Sequence, residues 1–373
     1  PGHYTIFSNS YIKNFRYWID PLLNNEPKSL MTENYALDFL RDNLEKAVTS
    51  QIHGSVGHAS YLSGGIDSSA LALFLTKCKP SEKLDTFSIA FENKDYDESI
   101  AQNKLSNSLN TNHTSIIISN KQISDYFAKA IYHSETLLFR TAPVPLYLLS
   151  KKVRDAGHKV VFTGEGADEI LLGYDIFFEN RIRQFWARQP HSQLRPELLR
   201  RLYHYLPQFK QSRYFSILKD FYKSNLTDVE NVFYSHLIRW AQYKQVSLYF
   251  NFSNNVDEDI LLNDFFKYLP GQFETLSRDR KAQIIEYETL LCGYLLSSQG
   301  DRMSMAHSVE GRYPFLSQSF VKAMADIHSF QKARRINSKS LFRKAMKGLV
   351  IEEIRNRPKV AYQAPEAKSF LSS

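Results

Sequence analysis

Residues 63–69 read Ser-Gly-Gly-Ile-Asp-Ser-Ser, directly after a short β-rich run, Ala59 to Leu62, and directly before helical periodicity from Ser68 to Cys78. That position constrains the chain more than any other feature. Two glycines let the backbone turn tightly and leave no Cβ between it and a ligand, while the following helix start presents free N–H groups and a positive dipole end. Serine hydroxyls add donors, so the loop suits a phosphate chain. Asp67 repels phosphate by charge, and its natural task is to hold a Mg²⁺ that bridges phosphate oxygens. A plain turn followed by a helix cap would use the same residue types. No GxxxxGK[ST] or GxGxxG stretch occurs, which argues against a Walker-type NTPase or a dinucleotide site.

The surrounding pattern supplies a fold. Short β-rich runs alternate with helical periodicity: Leu84 to Phe91, a helix from about Asp97, Ser115 to Ile118, a helix from Ser124, a helix around Leu146 to Val153, and the run Lys159 to Phe162. Strands separated by helices predict an α/β architecture with a parallel, doubly wound sheet. Beyond residue 176 the pattern is mostly helical, and Asn180 to Tyr214, rich in Arg and Tyr, reads as an exposed amphipathic region. Residues 1–30 fit neither pattern and read as a hairpin turning at Ser8, Asn9 and Ser10.

Composition narrows the class. With 43% hydrophobic and 23% charged positions over 373 residues, the chain is globular, and no run approaches the roughly 20 apolar residues of a membrane span. Residues 1–25 lack the order of a signal peptide, so the sequence reads as cytoplasmic. Cys78 and Cys292, both in apolar runs, fit buried thiols better than a bridge or a zinc site. A formal charge of +8 favours polyanions such as ATP or RNA without requiring either.

Two further clusters carry chemistry. Thr163-Gly164-Glu165-Gly166-Ala167-Asp168-Glu169 follows the strand ending at Phe162; loops at the carboxyl ends of neighbouring parallel strands converge, so Asp168 can join Asp67 on a metal. Asp301 to Ala306 runs into Ser308 to Leu316, where Arg302 and Arg312 are fixed forks for carboxylates and Glu310 is a candidate acid or base. A helix cap and a salt-bridge network explain the same residues structurally.

The SGGxDS loop resembles the pyrophosphate loop of the N-type ATP pyrophosphatases. Together with GEGADE, DRMSMAHSVEGRYPFL and Arg357-Pro358-Lys359, in that order, it resembles the synthetase domain of the asparagine synthetase family over roughly residues 30–370. The resemblance implies an adenine nucleotide alpha hydrolase-like fold. It further implies residues 1–30 as the end of an N-terminal glutaminase domain and connector, 31–175 as the nucleotide-binding core, and 176–373 as a mostly helical substrate-side part. It places ATP on Ser63, Gly64, Gly65, Asp67, Ser68, Ser69, Thr163 and Gly164, with Leu62 and Ile89 beside adenine and ribose. Asp67 and Asp168 match Mg²⁺ ligands; Lys339 and Lys359 match lysines near the phosphates, the second on a closing loop formed by 355–373. Glu165 and Glu310 match acids on the acceptor side.

The implied activity is amide formation: a carboxylic acid is activated as an acyl-adenylate and takes up ammonia, giving asparagine from aspartate or a related amide. Ser317, His307, Gly311 and the tail YQAPEAKSF depart from the housekeeping pattern and resemble members that amidate other scaffolds. No cysteine precedes Cys78, so the family's glutaminase nucleophile is missing and ammonia would come from a glutaminase domain or partner absent from this chain. Nucleic acid and membrane are not expected partners, and a homodimer is left open. An RNA-modifying pyrophosphatase acting on tRNA, drawing on Arg181, Arg183, Trp186, Arg188, Arg195, Arg200 and Arg201, and a non-catalytic nucleotide-binding scaffold are the competing readings.

Overall fold

The computed structural model describes residues 2–54, 57–203, 206, 211–240, 265, 269 and 271–371. Strands β1 (His3–Phe7) and β2 (Ile12–Arg16) form an antiparallel hairpin whose turn is closed by the Ser8 N–H donating to the Tyr11 carbonyl, at the expected place. A second sheet holds β3 (His58–Tyr61), β4 (Asp85–Phe91), β5 (Asn112–Ile118), β6 (Val160–Phe162) and β7 (Glu310–Arg312), in the order β5-β4-β3-β6-β7, every neighbouring pair parallel. Helices α1 (Glu33–Gln51), α2 (Ile66–Cys78), α3 (Ser99–Leu109), α4 (Asn120–Ser134) and α5 (Pro143–Asp155) accompany it, as the α/β reading requires. β7 comes from a stretch with no strand pattern.

Side chains along β6 alternate between two cores, as a period of 2 dictates. Val160 and Phe162 join Leu62, the buried face of α1 and most of α2, whereas Val161 joins Ala59, Phe87 and the α5 residues Leu149 and Val153. The α2 helix is apolar nearly all round and accordingly buried from Ser68 to Leu75. Boundaries move for local reasons. The α4 helix starts at Asn120, ahead of the expected Ser124, because Ser119 and Gln122 form a reciprocal capping box. β5 extends back to Asn112 because the His113 ring sits 3.0 Å from both the Thr86 and Ser88 hydroxyls and so satisfies polar atoms of β4.

Two expectations are corrected. The arginine-rich stretch does not face outward throughout: Arg188 and Arg201 are exposed, but in α7 (Asp175–Ala187) Arg183 is 1% exposed, donates to the carbonyls of Tyr222, Tyr234 and Ser224, and lies beside buried Trp186. Three carbonyl acceptors replace the water that a guanidinium would otherwise need. The cysteines are not both buried, since Cys78 is half-buried and Cys292 exposed. Cys292 lies on a π-helical segment, Tyr287–Asp301, in which only Leu291, Ser298 and Gln299 are buried. The helical expectation for 241–264 lies outside the described residues.

Candidate active site

β3 has β4 on one side and β6 on the other, while the chain runs from β3 to β4 to β5 before returning to β6. The order therefore reverses between β3 and β6, and the crevice beyond their carboxyl ends is where an open parallel sheet receives a ligand. Ser63-Gly64-Gly65 leaves β3 there and Thr163-Gly164 leaves β6. The loops touch: a Cβ added at Gly164 would lie 3.3 Å from the Asp67 Cβ. At Gly64 the backbone has φ +72°, and a Cβ would come within 2.9 Å of the Ala101 Cβ, so glycine is required on two counts.

The serines hold the loop. Ser69 Oγ donates to the Gly65 carbonyl at 2.6 Å, and Ser68 Oγ lies 3.2 Å from that carbonyl and 3.1 Å from Ser63 Oγ. Ser69 is wholly buried and Ser68 nearly so, which makes them braces of the first turn of α2, whereas Ser63 is exposed.

The charged residues converge in the crevice. Lys339 Nζ lies 2.6 Å from Asp67 Oδ2 and 2.7 Å from Asp168 Oδ1, and Lys359 Nζ lies 2.6 Å from Asp168 Oδ2. Asp168 stands in the first turn of α6 (Ala167–Leu171), and Lys339 takes φ +51° just before the helix Ser340–Ala345, with Arg343 Nε donating to the adjacent Ser338 carbonyl. Burial opposes ionisation of Asp168, but the two ammoniums outweigh it and hold the carboxyl well below the usual range. Burial likewise works against the charge on Lys359, which Asp168 and Asp67 overcome, holding the amine above its ordinary range.

Glu169, given no role by the sequence, and two residues that sequence reasoning missed, Gly173 and Tyr174, complete the cluster. Burial and then the charge of Asp168 push Glu169 up to about 8, and its Oε1 accepts a 2.7 Å bond from Tyr174. Gly173 leaves no room for a side chain: a Cβ there would be 1.9 Å from Asp168 Oδ1 and 2.3 Å from Lys339 Cε. The signal was the Gly-Tyr pair closing Asp168-Glu169-Ile-Leu-Leu, since a glycine after a helix often marks close approach.

Other expected residues take separate places. Glu165 is half-buried, accepts from the Thr163 hydroxyl, and burial raises its pKa. Leu62 packs in the core at 1% exposure with its N–H donating to the Phe87 carbonyl at 2.9 Å, and Ile89, on β4, accepts a bond from Gln102 through its carbonyl. Glu310 is not brought to the cluster. It lies exposed at the start of β7, opposite Val160, and ion-pairs with Arg312. It lines a separate cavity of about 520 Å³ with Gln51, His53, Arg312 and Tyr313.

Asp67 and Asp168 also fit the metal that the sequence reading assigns them. Both carboxylates are within reach of a single ammonium, and Asp67 Oδ1 is buried without a hydrogen-bond partner, an acceptor aimed at something other than protein. Among the described residues no cluster of three or more His, Cys, Asp or Glu could hold an ion. Two carboxylates suit Mg²⁺, which commonly takes one or two from protein and the rest of its shell from phosphate and water.

The asparagine synthase family pattern matches residues 39–372. Asparagine synthetase [glutamine-hydrolyzing] 1 of Bacillus subtilis is 26% identical over 87% of this chain and 49% of its own length. A protein named Amidase chry2 from Gibberella zeae is 26% identical over 98% of this chain and 58% of its own. The chain thus spans about half the length of these relatives. Among solved structures, NMN synthetase from Francisella tularensis overlaps 38% of this chain and 58% of its own at a TM-score of 0.27 and 21% identity, too low to bear on the fold. With the family pattern covering nearly the whole chain, and its crevice residues gathered at one reversal of strand order, the protein belongs to the asparagine synthase family.

Proposed function

We propose that this chain is an ATP-dependent, carbon–nitrogen bond-forming ligase that activates a small carboxylic acid as its acyl-adenylate and converts it to an amide. The observation that carries the reading is the gathering of Asp67, Asp168, Lys339 and Lys359 beside a glycine-rich loop at the crevice between β3 and β6. In the proposed reaction a carboxylate oxygen of the acid attacks the α-phosphorus of ATP and pyrophosphate leaves. Ammonia then attacks the activated carbonyl, loses a proton, and expels AMP.

Gly64, Gly65 and the free N–H groups opening α2 would cradle the phosphates, with Thr163 and Gly164 against the nucleotide and Leu62 and Ile89 near the base. Asp67 and Asp168 would hold Mg²⁺, which supplies charge neutralisation on phosphate oxygens. Lys339, locked between the two carboxylates, would keep them in register. Lys359, which retains a third of its side-chain exposure, is the residue free to meet charge developing on the α-phosphoryl group. Glu165, half-buried beside Thr163, would face the acid or amine; Glu310, ion-paired with Arg312 at the amino end of β7, is left out of the proposed reaction.

Aspartate is the proposed acid, or a related one, since relatives named asparagine synthetase and relatives named amidase match at the same 26% identity. Ammonia would come from a glutaminase domain or partner, because no cysteine precedes Cys78. The tRNA reading loses support where Arg181 and Arg183 are committed to Asp279 and to buried carbonyls.

The test is pyrophosphate release from ATP with Mg²⁺ and ammonium, screened over aspartate, glutamate and other carboxylic acids, with Asp67→Asn as control. Release stimulated by one acid names the substrate. Release with tRNA and with no acid would refute the proposal.

A further inference from the structure

After the helix Glu352–Arg355 the chain runs without regular structure until Lys368–Leu371, crossing the mouth of the crevice. The far end of this strap is fastened away from the site. Thr141 donates through its hydroxyl to the Pro365 carbonyl at 2.9 Å and through its N–H to Glu366 Oε2 at 3.2 Å, and Tyr362 donates to the Ala142 carbonyl at 3.2 Å. Ala364 is buried against Phe91, Ile118 and Ile123.

One side chain ties the near end to the loop that follows β3. Arg357 Nη2 lies 2.8 Å from Glu98 Oε1, and Nη1 donates to the Gly64 carbonyl at 3.3 Å. Gly64 belongs to the phosphate loop, and Glu98 immediately precedes α3, whose Ala101 and Gln102 form the wall against which Gly64 packs. Gln102 in turn donates to the Ile89 carbonyl of β4. One guanidinium therefore joins the strap, the loop and the wall behind the loop.

We propose that Arg357 is a positioning residue that registers the strap on the phosphate loop, so that Lys359 is delivered to the crevice only while the Gly64 peptide keeps its present orientation. This rests on the function proposed above. Two residues of chain span at most about 7 Å, and Pro358 fixes one of the intervening torsions, so a fixed Arg357 confines Lys359 to a small volume. With the Arg357 side chain released, the strap stays anchored at Arg355, whose carbonyl accepts from Arg343 and whose Nη1 donates to the Arg343 carbonyl, and the next fastening beyond Lys359 is Tyr362, so the chain between Arg355 and Tyr362 gains free torsions. A fork geometry is needed because one group must meet a carboxylate and a carbonyl at once, which an ammonium on a flexible stem does poorly.

The experiment uses the full chain with Arg357→Gln, Arg357→Lys, Glu98→Gln and the double variant Glu98→Gln/Arg357→Gln. Trypsin does not cut before proline, so Arg357–Pro358 is no site in any form, and cleavage after Lys359 reports opening of the strap. For Arg357→Gln the expected result is cleavage about 10-fold faster and kcat for pyrophosphate release about 10-fold lower, on the scale of one charged hydrogen bond, with the ATP KM and the melting temperature little changed. Glu98→Gln moves the same way, the double variant adds nothing further, and Arg357→Lys recovers part of the loss. Wild-type cleavage and rate in Arg357→Gln, or additive losses in the double variant, would overturn the proposal. Should the wild-type chain release no pyrophosphate, the functional reading fails while the cleavage arm still decides the strap.

Discussion

Replacing Gly173 by alanine puts a methyl group in place of one hydrogen at the most crowded point of the crevice. The new Cβ would stand 1.9 Å from Asp168 Oδ1, about 1.5 Å short of ordinary contact at 3.4 Å, and 2.3 Å from Lys339 Cε. Gly173 has no positive φ, so the backbone itself accepts alanine and the whole effect is steric. The carboxylate must yield, yet it is held by two ammoniums at 2.7 and 2.6 Å. A displacement of about 1 Å in a positioning group costs on the order of 10²-fold in rate, and overpacking costs about 1–3 kcal/mol in stability. Gly173→Ala is therefore expected to lower kcat for pyrophosphate release by about 10²-fold and to lower the melting temperature by several degrees. The control is Gly293→Ala, where nothing lies within 4 Å of the added carbon. A Gly173→Ala protein as active and as stable as Gly293→Ala would show that Asp168 and Lys339 do not occupy these positions in the working enzyme.

Lys359→Ala should lower turnover by roughly 10²- to 10³-fold, the range for loss of one transition-state donor, with the melting temperature little changed because the side chain is a third exposed. Lys339→Met leaves two buried carboxylates facing each other, so unfolding titrations should show a loss of about 3–5 kcal/mol, partly restored in the Asp67→Asn/Lys339→Met double variant. Burial raises Asp175 to about 6, against the hydrogen bond from the Tyr203 N–H. A raised carboxyl pKa makes the native state the better proton binder, so stability is present below about pH 4 and is lost as pH rises through 6. The loss is at most about 3 kcal/mol and is reduced by the water contact the group retains. Asp175→Asn should therefore be more stable than wild type at pH 7 and equal to it near pH 4 in denaturant titrations; an advantage independent of pH would contradict this.

What could be read beforehand divides along physical lines. Ser63 to Ser69 and Thr163 to Glu169 were legible because glycines and acids at a strand-to-helix junction are local requirements, set by backbone sterics and by the dipole of the next helix. Lys339 and Lys359 entered only through resemblance to a family, since their contacts lie 272 and 191 positions away along the chain. β7 was not legible: three residues, Glu-Gly-Arg, carry no alternation, and only the edge of β6 makes them a strand. Arg183 read as surface because a sequence shows its charge but not the three carbonyls that satisfy it. Glu310 was drawn to the reaction by its neighbours in sequence, and the register of β7 sets it opposite Val160, short of the carboxyl end.

The late arrival of β7 has a consequence for how the molecule forms. Its partner β6 ends at Phe162, so roughly 150 residues must emerge and fold before Glu310–Arg312 can pair with it. Until then the β6 edge presents unpaired backbone groups in a run of Val-Val-Phe, the kind of edge on which a second chain can add a strand. Such long-range parallel closure is slow. During synthesis this protein therefore passes through a stage in which the crevice between β3 and β6 is half built and its sheet is open to aggregation, and the same short strand that finishes the sheet ends both exposures.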